Sequence, residues 1–245
     1  GAQVAGTGRN ARPPACGGST VANSANTIPG TTALFNSFNQ PSAYAGGLVV
    51  MRARSKEQEG AGEPVRGIYA RAMGEGPGAL TKVFDIDTVV PDPNNTEYNG
   101  QLGTFTEFPA FPRIGMDNTT IATRGQSKPV WTYMADDGTE TRVGTSGVYA
   151  LQHGQALTGA SQVGAAPGFG HYGVPGAMAG TRFDQFPGAP AVGGNKLVYK
   201  GNYTDGVSKT GIFYRRASGQ VADTVTKVIA SSDTLIPGQP VDGVR

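Results

Sequence analysis

The chain has 245 residues, of which 38 are Gly and 17 are Pro, and a formal net charge of +2 from 20 basic and 18 acidic side chains. Glycine at about twice its average share leaves little room for long helices. No basic stripe of the kind that marks a nucleic-acid binder is present, and no apolar run approaches the ~20 residues of a membrane-spanning helix.

Residues 1–18 form a Gly/Pro-rich N-terminal arm. It holds the single cysteine, Cys16, within Pro13-Pro14-Ala15-Cys16-Gly17-Gly18, so no internal disulfide can form. A lone thiol is the plain expectation; an intermolecular bridge or a lipid attachment is the sharper one. The chain begins at Gly1 with small residues, as a processed chain does. That start, few lysines and a Gly/Thr/Ser/Asn-rich texture point to export, to a periplasmic, cell-surface or extracellular location.

Residues 19–245 read as one β-repeat domain. Its clearest mark is a Phe-x-x-Phe pair at three spaced places along the chain: Phe35 and Phe38, Phe105 and Phe108, Phe183 and Phe186. Prolines follow each pair closely: Pro41, then Pro109 and Pro112, then Pro187 and Pro190. A β-branched strand comes next, and Val50, Ile121 and Val198 lie 12, 13 and 12 residues past the second Phe. A second strand is expected at Gly67-Ile68-Tyr69, Val130-Trp131-Thr132-Tyr133-Met134 and Gly211-Ile212-Phe213. A third is expected at Thr81-Lys82-Val83, Thr141-Arg142-Val143 and Thr226-Lys227-Val228.

The units then span approximately 31–91, 101–147 and 180–238, with a long insertion at 144–182. Repeated four-stranded antiparallel meanders make an all-β, β-propeller-like fold, with the Phe pairs packing between neighbouring units. The ending Asp233-Thr234-Leu235-Ile236-Pro237-Gly238 is repeated, one residue shorter, as Asn26-Thr27-Ile28-Pro29-Gly30, so both chain ends are expected to fall at the same phase of the repeat. Three units are fewer than the usual ring of four to eight blades. The expectation is an unusual closure, a precursor that continues past Arg245, or assembly of several chains.

These motifs resemble those of bacterial exported β-repeat proteins of unknown function, which often carry a cell-surface sorting tail. The matching residues are Gly67-Ile68-Tyr69, Leu80-Thr81-Lys82-Val83, Gly211-Ile212-Phe213, Thr226-Lys227-Val228 and Asp233–Gly238. The resemblance spans roughly residues 19–240 and implies the repeat architecture and export. It transfers no catalytic residue, and no sorting tail is present in this sequence.

Signatures of chemistry are sparse. No Gly-x-Ser-x-Gly elbow or phosphate-binding loop occurs, and no catalytic residue is assigned. The only histidines, His153 and His171, lie in the 144–182 segment with Tyr172, which makes that segment an expected interaction loop. Asp85, Asp87 and Asp92 gather oxygen ligands that suit calcium; a solvated Asx-rich turn explains them equally well. No other cofactor is expected. Trp131, Tyr133, Tyr149, Tyr172 and Tyr203 are the aromatics that would serve a surface glycan. The leading expectation is a non-enzymatic exported structural or interaction protein, an accessory subunit of a cell-envelope or surface assembly, acting through protein partners or self-assembly. The alternative is a carbohydrate-binding or glycan-active propeller.

Overall fold

In a computed structural model, residues 19–56, 64–74, 77–95, 100–128, 131–134, 140–143, 146–166, 168–217 and 223–231 are described; at 40–42, 131–134, 140–143 and 165 this extends to the backbone alone. Cys16 and the Asp233–Gly238 motif lie outside the described residues. No described helix is long and apolar enough to cross a membrane.

The chain is all-β, as its turn-rich composition requires. Sheet I runs β1 (Phe35–Ala45), β2 (Leu48–Ser55), β3 (Arg66–Ala72) and β4 (Leu80–Asp85), each antiparallel to the next. Sheet II begins with β5 (Thr104–Glu107) and β6 (Arg113–Ile114), both paired to β7 (Ile121–Lys128). Next, β8 (Trp131–Met134) and β9 (Glu140–Val143) form a separate two-stranded sheet. Sheet II resumes with β10 (Gly147–Gln152) and β11 (Gln155–Ser161). Two short 3-10 turns follow, Gln162–Ala165 and Gly170–Tyr172. Sheet III contains β12 (Phe183–Gln185), β13 (Ala191–Gly193), β14 (Lys196–Asp205), β15 (Val207–Arg216) and β16 (Thr226–Ala230).

Hairpin chemistry sets these meanders. Gly46-Gly47 and His153-Gly154 each place two successive residues at positive φ, the geometry that matches strand twist in a two-residue turn. The Phe-bearing strand stays in one piece in β1. In sheets II and III, where two prolines follow the pair, it is divided into β5 plus β6 and β12 plus β13, whereas β1 passes its single Pro41 with a register shift between Asn39 and Ala43.

The middle unit departs from its expected course. Its strands after β7 are β10 and β11, not 130–134 and 141–143, and they come from the segment expected to be an insertion. The register gives the reason. Gly147-Val148-Tyr149 pairs with β7 as Gly67-Ile68-Tyr69 pairs with β2 and Gly211-Ile212-Phe213 with β14. The same register sets Ala122, rather than Ile121, level with Val50 and Val198. A register shift recurs at one place in all three sheets, after Ile68, Val148 and Ile212.

The segment ahead of each Phe pair is also threefold. The Ile28 amide donates to Ala33 at 2.8 Å, Val90 to Gly103 at 2.9 Å and Val174 to Thr181 at 3.1 Å. Val174-Pro175-Gly176 is therefore a copy of Ile28-Pro29-Gly30, and Gly30 and Gly176 share positive φ. Ile28, Val90 and Val174 are all buried.

The sheets pack in series. Phe105 and Phe108 join Val50, Ile68 and Phe84 of sheet I to Tyr149 of sheet II in one cluster. Phe183 and Phe186 join Val148 and Ala160 of sheet II to Tyr199 and Phe213 of sheet III. The other face of sheet I, with Phe35, Met51 and Tyr69, is covered by Val21, Ala22 and Ile28. Arg71 fixes that cover, donating from Nη1 to the Val21 carbonyl at 2.7 Å and from Nε to Gly78 at 2.7 Å. Arg215, at the same register position of sheet III, donates from Nη1 to Thr158 of sheet II at 2.8 Å and from Nε to Asp223 at 2.6 Å. Residues 19–28 thus stand to sheet I as β11 stands to sheet III.

Candidate functional site

The repeat generates one cleft three times. On the middle strands, Arg52, Arg124 and Lys200 each precede the small residue that faces the leading glycine of the next strand: Ala53 with Gly67, Gly125 with Gly147, Gly201 with Gly211. Each sheet therefore carries one cation at an equivalent position. Sequence reasoning missed this set. Its signal was present, since the cations lie 14, 16 and 14 residues past Phe38, Phe108 and Phe186.

Between sheets I and II the cleft is filled. The third residue of Phe-Thr-Glu-Phe, Glu107, reaches back to sheet I. Its Oε1 accepts from Arg52 Nη2 at 2.9 Å and from its neighbour's backbone, Phe108 N–H, at 2.8 Å. Its Oε2 accepts from Arg66 Nη1 at 3.0 Å. The remaining space is about 160 Å³. Burial opposes the charge, but the Phe108 amide and the two guanidinium groups outweigh it, so the carboxyl titrates below its ordinary value. A depressed carboxyl stabilises the fold above its unfolded pKa of about 4.3, and that contribution is lost as pH falls through the folded value. Glu107→Gln is expected to lower the melting temperature at pH 7, with the gap to wild type closing as pH falls to 3. Thermal melts across that range check this.

Between sheets II and III the cleft is open. Gln185 replaces Glu107 and Ser146 replaces Arg66 at the matching register positions. The space grows to about 480 Å³ and is lined by Arg124, Gln126, Ser127, Ser146, Asp184 and Gln185. Arg124 Nε is buried without a hydrogen-bond partner, and no ion pair reaches this side chain among the described residues. Desolvation without a counter-charge pushes its pKa down.

The third cleft lies on the far face of sheet III, around Lys200, Asn202 and Thr210, and measures about 830 Å³. No Phe pair covers this face among the described residues. Val198, Ile212 and Ile229 are half-buried there. Their counterparts Val50, Ile68 and Phe84 in sheet I, and Ala122, Val148 and Ala160 in sheet II, are all fully buried.

The residues singled out from sequence fall as follows. Five of the six phenylalanines are buried; Phe38 is 36% exposed. Asp85 is buried at the end of β4, where its carboxylate accepts from Thr88 Oγ1 at 2.7 Å and the Asp87 amide at 3.2 Å and pairs with Lys82 at 3.0 Å. This is a turn held by an Asx side chain, and no three metal-binding side chains converge among the described residues. Asp92 lies in the following turn rather than in that network. His153 is exposed at the β10–β11 turn, 3.4 Å from Thr119 Oγ1. His171 sits in the second 3-10 turn, its ring 4.4 Å from that of Tyr172. Burial and nearby Arg215 push its pKa down.

The structure does not bring the two histidines into a shared metal cluster. Tyr172 is 4% exposed, with the Arg215 guanidinium 4.5 Å over its ring, so this side chain anchors the segment to sheet III. Tyr149 and Tyr203 are buried as well, so these three tyrosines form no glycan platform; the side chains of Trp131 and Tyr133 lie outside the described residues. No protein-family model matches the chain, and no curated protein sequence matches it.

Proposed function

We propose that this chain is a non-enzymatic, exported, propeller-like scaffold that docks a protein partner on the far face of sheet III. The observation that supports this reading is that no Phe pair covers this face among the described residues. Sheets I and II each bury theirs under the Phe pair of the next sheet, and sheet III leaves Val198, Ile212 and Ile229 half-buried. The partner implied is a β-unit whose edge strand carries an aromatic pair with a carboxylate between, placed to meet Lys200 as Glu107 meets Arg52. Such a partner fits an accessory subunit in a cell-envelope or surface assembly.

Native mass spectrometry of the chain mixed with envelope and surface fractions of its producing cell tests this. A complex with another protein is expected, and Ile212→Glu is expected to abolish it by setting a carboxylate directly across the strands from Lys200, which takes up the cation the partner needs and puts charge into the contact. Isolated monomer throughout, or a complex indifferent to Ile212→Glu, overturns it.

A further inference from the structure

We propose that the cleft between sheets II and III is a binding site for a hexuronic acid, held by its carboxylate on Arg124. This cleft shares Asp184 and Gln185 with the one at Lys200, but its cation, Arg124, lines this cleft alone.

The structure contains its own template for the interaction. One repeat earlier, the same strand position presents Arg52, and a carboxylate occupies it: Glu107, at 2.9 Å from Arg52 and 3.0 Å from Arg66. In the second cleft the cation is kept and the internal carboxylate is replaced by Gln185. In the filled cleft the carboxylate is held through guanidinium Nη atoms, and Arg124, half-buried in the lining of the open cleft, has no such ion pair among the described residues; an incoming carboxylate supplies it.

The rest of the cleft selects the ligand class. With Asp184 also in the lining, a single guanidinium matches a monoanion better than a phosphate dianion. A carboxylate alone does not fill about 480 Å³, which is within the range of small-molecule sites. Around Arg124 stand hydroxyls and amides, Thr106, Gln126, Ser127 and Ser146, which suit a ring of hydroxyl groups. Gln162 is fixed for this work, since its Oε1 accepts from the Ser146 amide and its Nε2 donates to the Asp184 carbonyl. A hexuronic acid joins one carboxylate to such a ring.

Titration calorimetry with glucuronate, glucose, N-acetylglutamate amide and inorganic phosphate tests the assignment. Glucuronate is expected to bind, with each of the other three at least roughly tenfold weaker. Arg124→Gln is expected to weaken glucuronate by roughly ten- to a hundredfold, the range for a hydrogen-bonded charge. A second variant works in the opposite sense. Gln185→Glu restores the carboxylate that the first cleft possesses, so it is expected to raise the melting temperature and also abolish glucuronate binding. Equal binding of glucose removes the role of charge. Equal binding of the glutamate amide or of phosphate removes the sugar acid. Glucuronate binding that survives either variant removes the site. Any one of these outcomes overturns the proposal, as does no glucuronate binding at all.

Discussion

Phe105→Ala is expected to destabilise the chain by about 3–5 kcal/mol, the range for truncating a fully buried Phe. Phe105 is 1% exposed and is the junction of two sheets. Its ring centroid lies 5.4 Å from Phe84 of sheet I, 4.9 Å from Phe108 and 4.8 Å, edge-on, from Tyr149 of sheet II. Beneath it, Gly125 leaves the space the ring occupies: a Cβ there would stand 2.8 Å from the Phe105 ring. Truncation therefore opens a cavity that no neighbouring side chain is placed to fill. Phe38→Ala removes the same number of atoms from a ring that is 36% exposed and packs on Phe35 at 5.4 Å. Its expected cost is about 1 kcal/mol, since much of its apolar surface is never withdrawn from water. Urea denaturation of both variants measures the difference. Equal costs would mean that the Phe pairs do not join one sheet to the next.

Much of this architecture was legible in the residues. The Phe pairs mark the edge strands, and β2, β7 and β14 lie where the spacing from those pairs places them. The middle unit was misplaced because local propensity and the repeat disagree there. Trp131 and Tyr133 are strong strand formers and form β8, but outside the sheet. The true partner, Gly147-Val148-Tyr149, sits in a Gly- and Ala-rich stretch that resembles a loop. Its third strand lacks the Lys-Val of the others because the register shift there brings Gly159 against Leu197 of sheet III, where a Cβ would collide. Val174-Pro175 went unnoticed because the Thr of the motif is absent. The clefts were not legible at all. A cation 14 to 16 residues past each Phe pair is visible in sequence, but whether it meets a carboxylate depends on a residue of the next sheet. Glu107 and Gln185 share the third position of the Phe-x-x-Phe pair, but only the pairing register shows that this position faces the cation of the preceding sheet.

The second large effect is expected at the leading glycine of the third strand in each sheet. Gly147→Ala and Gly211→Ala are each expected to cost about 3 kcal/mol, the upper end of the usual penalty for forcing atoms into a packed site. A Cβ on Gly147 would lie 2.7 Å from the Ala160 carbonyl oxygen and 2.9 Å from the Tyr149 ring. On Gly211 it would lie 2.8 Å from the Ile229 carbonyl and 2.9 Å from Phe213. On Gly67 it would fall onto the Phe84 carbonyl. The obstructing atom is main chain in all three cases, so no rotamer change relieves the clash and the strand pair itself must part. Those carbonyls belong to the strands that carry the recurrent register shift, which brings the backbone in over the glycine. Gly193→Ala is the control. Nothing lies within 4 Å of its Cβ position and its φ is not positive, so the expected change is within about 0.5 kcal/mol. At this chain length 3 kcal/mol corresponds to a fall of roughly 6–12 °C in melting temperature. Thermal melts of the three variants decide the matter. If Gly147→Ala melts with Gly193→Ala, the glycine serves no close approach. If Gly147→Ala and Gly211→Ala fall together, the steric demand belongs to the repeat rather than to one sheet, and the same substitution at Gly67 must follow them.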